Sequence, residues 1–359
     1  MKPPGQLRRQ PMLPAEWETV AAAAGLDPLF SSRQWLDGWW SAHAPAFRLE
    51  PVPISAGDDG VGLLPMFARR VRHRGGASGL RLELLGQLWR SGNAVMSEYL
   101  DAAVLPDREA KVTEELVEKI TATNCTDVIF SNVREDGFVA RRLVPALQGA
   151  GWYARPCDPL EAWAVDLKPG FERVLAGLSG SMRRRFHAGR RRLAALGRIQ
   201  LEVTAPGGEA EFFERLNRLH RLRWGRVAFA DRRLEFHIRL ATALNSTGGA
   251  WLSTLRVSGR EISCLYDLCR GSTQYNLQAG FDPDVGPGIS PGYLHLGYAI
   301  EAANTAGLSR YDLLAGEGKH TDYKARFTTH CTGILTWQVV HAPALKALYR
   351  AYDALRRPS

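Results

Sequence analysis

Apolar residues recur along the chain with two periods, and the alternation between them predicts an order of elements. Residues 30–43 (FSSRQWLDGWWSAH) read as a helix: Ser31 or Ser32 starts it, and Trp35, Trp39 and Trp40 gather on one side. Two strands follow, residues 50–56 and 61–70, joined through Gly57-Asp58-Asp59-Gly60. After a mixed stretch the pattern predicts a strand at 98–104 and a helix at 107–121 whose inner face is Val112, Leu116 and Ile120. A strand at 127–132, a helix at 137–149 and a strand at 161–167 complete the first half. The second half repeats this order. Residues 250–257 and 261–269 form a hairpin that 273–279 extends, and a helix at 293–306 leads to a strand at 311–314. A short helix at 320–327 and a strand at 333–340 follow. The halves share order but no residue-level identity, which predicts a duplicated α/β architecture.

Between them lies a helical connector. In residues 181–198 the apolar side chains Met182, Phe186, Leu193 and Leu196 make one helical stripe, flanked by Arg183, Arg184, Arg185, Arg190, Arg191 and Arg192. A second amphipathic helix, 209–224, turns Phe212, Leu216 and Leu219 inward. The expected division is residues 15–167, a basic connector 168–240 packed on the C-terminal half, and 241–345.

Charge follows this division. The net charge is +9, and residues 168–240 hold 17 Lys and Arg against 7 Asp and Glu, so a net of +10 sits there. An acidic ligand is expected to meet that segment. A hydrophobic fraction of 45% with ten Trp supports real cores, and no apolar run reaches the ~18 residues of a membrane span. The N-terminal residues carry no cleavable leader pattern, so a soluble cytoplasmic protein is expected. Five scattered Cys without a C-x-x-C and nine dispersed His predict small buried thiols, with neither a disulfide framework nor a metal site.

The richest stretch for chemistry is 275–326. Loop 282–292 contains Gly286 and Gly288, and Ser290-Pro291 is a helix start in which Ser caps and Pro takes the first helical position. The amides that follow form a pocket for an anion, or else an ordinary strand-to-helix turn. No Walker loop and no G-x-G-x-x-G is present. On the preceding strand, alternation puts Gln274, Asn276 and Gln278 on one face, where amides could orient an acceptor or an acyl carbonyl. Asp312 ends a short strand, where open sheets place ligand groups. Tyr323 offers a phenolic acid, and Lys324 a cation. His220 and Trp224 are one turn apart on a helix beside Arg223. Nothing resembles a serine-hydrolase elbow or a zinc-protease motif.

These residues resemble a known motif set. Asn276-Leu-Gln-Ala-Gly-Phe-Asp-Pro283, Ser290-Pro-Gly-Tyr-Leu294, Tyr311-Asp-Leu-Leu-Ala-Gly316 and Tyr323-Lys324 are similar, in order, to the C-terminal motifs of the CelD-like and BioF2-like acetyltransferases. Those enzymes belong to the GNAT superfamily and are related to the Fem aminoacyltransferases. The likeness covers roughly residues 15–340 and is strongest after Lys168. It implies a tandem GNAT fold with a degenerate N-terminal copy and the site in the C-terminal copy. It implies acyl-CoA, acetyl-CoA first, as donor, its pyrophosphate held by Gly286, Gly288, Ser290, Gly292 and Tyr293. Asn276, Gln278, His220, Arg223 and Trp224 then face an amine acceptor from small-molecule or cell-envelope metabolism. Tyr323, Asp312 and Lys324 are the catalytic candidates, with Tyr323 as the acid that protonates the departing thiolate or as a group that positions the acceptor. The loop departs from the usual Gln/Arg-x-x-Gly-x-Gly/Ala signature, and Pro291 removes one amide donor. An aminoacyl-tRNA donor held along Arg183–Arg192, as in the Fem branch, and a silent scaffold therefore stay open.

Overall fold

The computed structural model describes residues 12–57, 61–73, 75–92, 94–315, 324, 328 and 330–355. The chain forms two compact units: Met1–Pro159 with Ile334–Ser359, and Leu160–Gly333. This division differs from the one the element order suggests. The last strand pairs with residues 127–134 rather than staying with the second half, and the basic connector lies wholly within the second unit.

In the first unit, helix α1 (Trp17–Ala23) and α2 (Arg33–Phe47) precede the strands β1 (Glu50–Ala56), β2 (Gly62–Arg72) and β3 (Ser78–Leu84). Ser32 caps α2 by accepting from the Trp35 amide at 3.2 Å. The buried indoles of Trp35 and Trp39 donate to Ser97 Oγ and the Val95 carbonyl, so their polar edges are satisfied inside the core. β1, β2 and β3 are successively antiparallel. Then α3 (Glu109–Ala122) crosses over to β5 (Asp127–Arg134), which lies parallel to β3. Val112, Leu116 and Ile120 of α3 are fully buried, as their spacing predicts. The strand expected at 98–104 shrinks to β4 (Ala103–Val104), because Leu100 makes only an isolated bridge. The helix expected at 137–149 begins as a π-turn at Val139–Leu143 and continues as α4 (Val144–Gly149). β12 (His330–Val340) pairs antiparallel with β5, and α10 (Pro343–Ala354) ends the unit.

The second unit repeats this plan. β6 (Tyr153–Asp166) leads into it, followed by α5 (Phe171–Gly177), α6 (Gly180–Ala195) and β7 (Ile199–Val203). Helices α7 (Glu209–Trp224) and α8 (Asp231–Asn245) precede β8 (Ala250–Val257), β9 (Arg260–Arg270) and β10 (Thr273–Phe281). β7 to β10 are successively antiparallel. Helix α9 (Pro291–Thr305) then crosses over to β11 (Arg310–Asp312), which is parallel to β10 and antiparallel to β6. In each unit an antiparallel meander thus feeds a helical crossover and a parallel strand. The duplicated mixed α/β architecture is that of the sequence expectation. β3, β7, α1, α5, α8 and α10 are elements that the expected order did not include.

Met182, Phe186 and Leu193 of α6 are buried against α9, whereas Leu196 lies beyond the helix end and is exposed. Cys125, Cys157 and Cys264 are buried, Cys269 is half-buried and Cys331 exposed, all as free thiols. Among the described residues no helix is long and apolar enough to cross a membrane.

Candidate active site

The second unit's sheet opens between β10 and β11. They pair only over Thr273–Tyr275 and Arg310–Asp312, so residues 276–281 of β10 run on with no described strand along that edge. On its other edge β10 stays bonded to β9, but the register shifts between Asn276, opposite Asp267, and Gln278, opposite Tyr266. This bulge inverts the alternation beyond it. Gln274 and Asn276 therefore share a face, while Gln278 belongs to the opposite one, which corrects the single amide face read from strict alternation.

Asp267 organises the first of those faces. It is fully buried and accepts from Asn276 Nδ2 at 2.6 Å, Gln274 Nε2 at 2.7 Å and the Tyr311 hydroxyl at 2.7 Å. Burial pushes its pKa up to about 6, against the pull of these three donors. Because the carboxylate accepts, the Asn276 amide nitrogen must face it. Asn276 Oδ1 is thereby turned away, without a protein partner among the described residues, at the point where β10 parts from β11. Gln278 instead accepts from the neighbouring Ala279 amide at 2.9 Å.

The loop after β10 is held by arginines of α6. Arg192 Nη1 donates to the Gly288 carbonyl at 3.1 Å, and Gly288 itself has φ +69°, a conformation that suits glycine. Ser290 does not cap α9 with its side chain. Its hydroxyl receives Arg185 Nη2 at 2.8 Å, and its carbonyl takes the first helical bond from Leu294. Pro291 occupies the first position as expected. The Gly292 amide then has no partner within the helix. Gly292 also brings the strand and helix into contact, since a Cβ there would lie 2.7 Å from Phe281 Cδ1. Gly292→Ala should therefore shift the ring and cost about 1–3 kcal/mol, read as a lower urea midpoint. An unchanged midpoint would mean the contact is slack. A Cβ on Gly286 would meet only side-chain tips, Ile289 Cδ1 at 3.3 Å and Leu196 Cδ1 at 3.9 Å.

Tyr293 ties α9 to α6: its hydroxyl donates to the Met182 carbonyl at 3.3 Å and its ring meets Phe186. Arg190 lies between the Phe186 and Tyr298 rings and pairs with Glu301. Three of the six arginines of α6 are thus committed to α9 and its loop, while Arg184 and Arg191 remain exposed.

At the C-terminal end of α7 the structure joins residues that the sequence listed separately. Trp224 packs edge-on against Phe281 at 5.3 Å, and His220 lies on Trp224 at 4.4 Å. The Arg223 guanidinium is 5.8 Å from both the Trp224 and Phe281 rings. His220, Arg223, Trp224, Phe281 and Gly292 therefore form one continuous set.

Asp312 and Lys324 serve the turn beyond β11. Asp312 is buried; its Oδ2 receives the Arg310 guanidinium at 2.9 Å and its Oδ1 the Leu314 amide at 2.8 Å. Lys324 Nζ donates to the carbonyls of Leu313, Leu314 and Ala315 at 2.7, 3.0 and 2.9 Å. Leu314 has φ +58°, and these bonds hold that turn. Tyr323 and most of the helix expected at 320–327 lie outside the described residues.

Two buried groups escaped the sequence reading. Asp267 stands alone in the apolar run of β9, and that isolation was its only signal. His295 stands in apolar α9, fully buried between Ser253 Oγ at 3.0 Å and Ser263 Oγ at 2.9 Å, and burial lowers its pKa to about 3. It anchors α9 to β8 and β9. No group of His, Cys, Asp and Glu among the described residues is arranged to hold a metal.

Residues 180–325 match the family described as the acetyltransferase (GNAT) domain. No curated protein matches the sequence significantly. Among solved structures, FemX has a TM-score of 0.60 at 12% identity, over 92% of this chain and 97% of its own. L-PGS from Bacillus licheniformis gives 0.54 at 14% identity, over 96% and 97%. The C-terminal domain (DUF2156) of a putative lysylphosphatidylglycerol synthetase from Agrobacterium fabrum gives 0.52 at 11%, over 94% and 96%. The segment that matches the GNAT family, residues 180–325, contains the meander, crossover and parted strands, and the chain has a tandem GNAT-type fold like that of FemX.

Proposed function

We propose that the chain transfers an acyl group from acyl-CoA, acetyl-CoA in the simplest case, to an amine acceptor. The observation that carries this reading is the run 276–281 of β10, which has no described strand on the edge where β11 parts from it and ends in an arginine-lined loop at the start of α9. The open strand edge suits the amides of an extended pantetheine arm. The first turn of α9, with Arg185 and Arg192 beside it, suits the pyrophosphate. Asn276 Oδ1, held by Asp267, faces the point where the thioester would lie and suits an N–H donor. Catalysis then consists of positioning the amine against the thioester carbonyl and removing its proton. Tyr323 stays the candidate acid for the thiolate, while Asp312 and Lys324 act by holding the turn that precedes it. The narrower CelD-like or BioF2-like kinship belongs to the same proposal.

Saturating acyl-CoA is expected to raise the melting temperature of the second unit by several degrees, since ligand at a hundred times Kd adds about 2.7 kcal/mol. The double change Arg185→Ser, Arg192→Ser should weaken that binding about tenfold or more. No shift with any acyl-CoA would remove the reading. An aminoacyl-tRNA donor is the second reading, favoured by exposed Arg184 and Arg191 and by the FemX-like fold. It requires charged tRNA to bind with an affinity that falls steeply with salt, and less steeply after Arg184→Ser, Arg191→Ser.

A further inference from the structure

Strand β7 ends the second unit's meander: it pairs with β8, and no described strand lies along its other edge. Two bonds fix which way its backbone groups point. The Ser258 amide donates to the Arg198 carbonyl at 2.9 Å, and the Thr204 amide donates to the Leu252 carbonyl at 2.9 Å. Residues 198, 200, 202 and 204 therefore turn their N–H and C=O groups toward β8. Ile199, Leu201 and Val203 turn theirs outward, where no described group bonds to them.

The side chains of the same three residues are apolar and incompletely covered. They stand opposite Val257, Leu255 and Ser253, so they share the sheet face on which α6 packs. Leu201 is 38% and Val203 46% exposed, and Leu196 at the end of α6 is 47% exposed. Folded chains usually blunt such an edge with Pro, Lys or a bulge. β1, the outermost strand of the first unit's meander, carries Pro51 and Pro53. β7 contains neither Pro nor Lys, and its register with β8 has no shift. Its one charged side chain, Glu202, is already held by Arg256 Nε at 2.9 Å.

We infer that β7 is the contact between two copies of this chain, paired antiparallel about a two-fold axis at Leu201. The run Ile199-Gln-Leu-Glu-Val203 is self-complementary in that register. Leu201 faces its own copy and Ile199 faces Val203. These are the outward-pointing residues, so each pair exchanges both of its N–H···O bonds. On the α6 face every cross-strand pair is then aliphatic. On the other face the Gln200 amide meets the Glu202 carboxylate, with Arg198 as its diagonal neighbour. A slip of one residue would set outward groups against inward ones and apolar side chains against polar ones, so the register is specified. The second copy thus satisfies the free backbone row and covers the apolar side chains in one step.

Sedimentation of the full chain across a dilution series tests this. The wild type should move toward twice the chain mass as its concentration rises. Leu201→Pro removes the outward N–H at the axis but no bond to β8, and Leu201→Lys sets two ammonium groups against each other. Each should weaken association about tenfold or more, while the melting temperature of the dilute protein is kept. A cross-link reads the register. On a Cys331→Ser background, Leu201→Cys puts Cα atoms about 5.5 Å apart, within disulfide reach, and mild oxidation should join the chains. Gln200→Cys on that background makes diagonal neighbours about 7–8 Å apart, which should stay unlinked. A wild type that is monomeric at every concentration, association that both Leu201 variants leave unchanged, or equal cross-linking at 200 and 201 would overturn the inference.

Discussion

Asp267→Ala is expected to destabilise the second unit by about 3–5 kcal/mol, the cost of breaking a buried charged network on one side. The side chains of Gln274, Asn276 and Tyr311 all donate to this one carboxylate, and the alanine leaves all three without that acceptor, Gln274 and Tyr311 fully buried and Asn276 half-buried. For a unit of this size each kcal/mol is worth roughly 2–4 °C, so its melting transition should fall by about 10 °C. Asp267→Asn keeps the volume, and turning over one neighbouring amide restores part of the bonding, so about 1–2 kcal/mol is expected. Urea or thermal unfolding monitored by tryptophan fluorescence measures both. An alanine variant within 1 kcal/mol of wild type would mean that the cluster does not hold β9, β10 and β11 together. It would also leave the Asn276 amide without its orienting partner.

The pH dependence of the same unit is set by two buried groups of opposite sense. His295, with a folded pKa of about 3 against an ordinary 6.5, contributes stability that is present above pH 6.5 and lost as pH falls toward 3. Asp267, with a folded pKa of about 6 against 3.8, binds its proton more tightly when folded. Its share of stability therefore rises as pH falls from 6 toward 4. At 1.36 kcal/mol per unit, His295 loses about 3 kcal/mol between pH 7 and 4, and Asp267 returns about 2. The wild type should consequently change little over that range from these two groups. Asp267→Asn should uncover the histidine slope, losing about 3 kcal/mol by pH 4, and His295→Gln should uncover the opposite slope. Unfolding free energies at pH 7, 5.5 and 4 for the three proteins decide this. Parallel curves would show that neither group titrates as its burial requires. Outside this unit, Asp101 is pushed to about 6 by burial as well, so the differences between variants carry the argument.

Elements with a strong period were legible from residues alone. Helix 209–224 agrees end to end with α7, and Val112, Leu116 and Ile120 are as buried as their spacing requires. The turn at Gly57–Gly60 placed the first hairpin, and the cap at Ser32 started α2. Elements whose burial depends on distant partners were not legible. β7 has an exposed pattern and exists because β8 supplies its bonds, whereas β3 does alternate, as Leu80, Arg81, Leu82, Glu83 and Leu84, a short period that the expected order of elements passed over.

In the candidate site the same division holds residue by residue. The sequence by itself determined that a Gly/Pro loop opens α9 behind a strand rich in amides, and that a basic helix precedes it. Those are local facts of backbone freedom, capping and charge. Only the tertiary structure decided what each side chain does. One bulge, invisible in composition, sends Asn276 and Gln278 to opposite faces. Ser290 gives its hydroxyl to Arg185, a residue 105 positions earlier in the chain, instead of capping its own helix. Lys324 closes a turn, and His220 comes to rest on β10 because Gly280 has no side chain to keep α7 away. Register, close approach and the choice among competing hydrogen-bond partners all depend on residues far apart in sequence. No local pattern of polar and apolar positions encodes them.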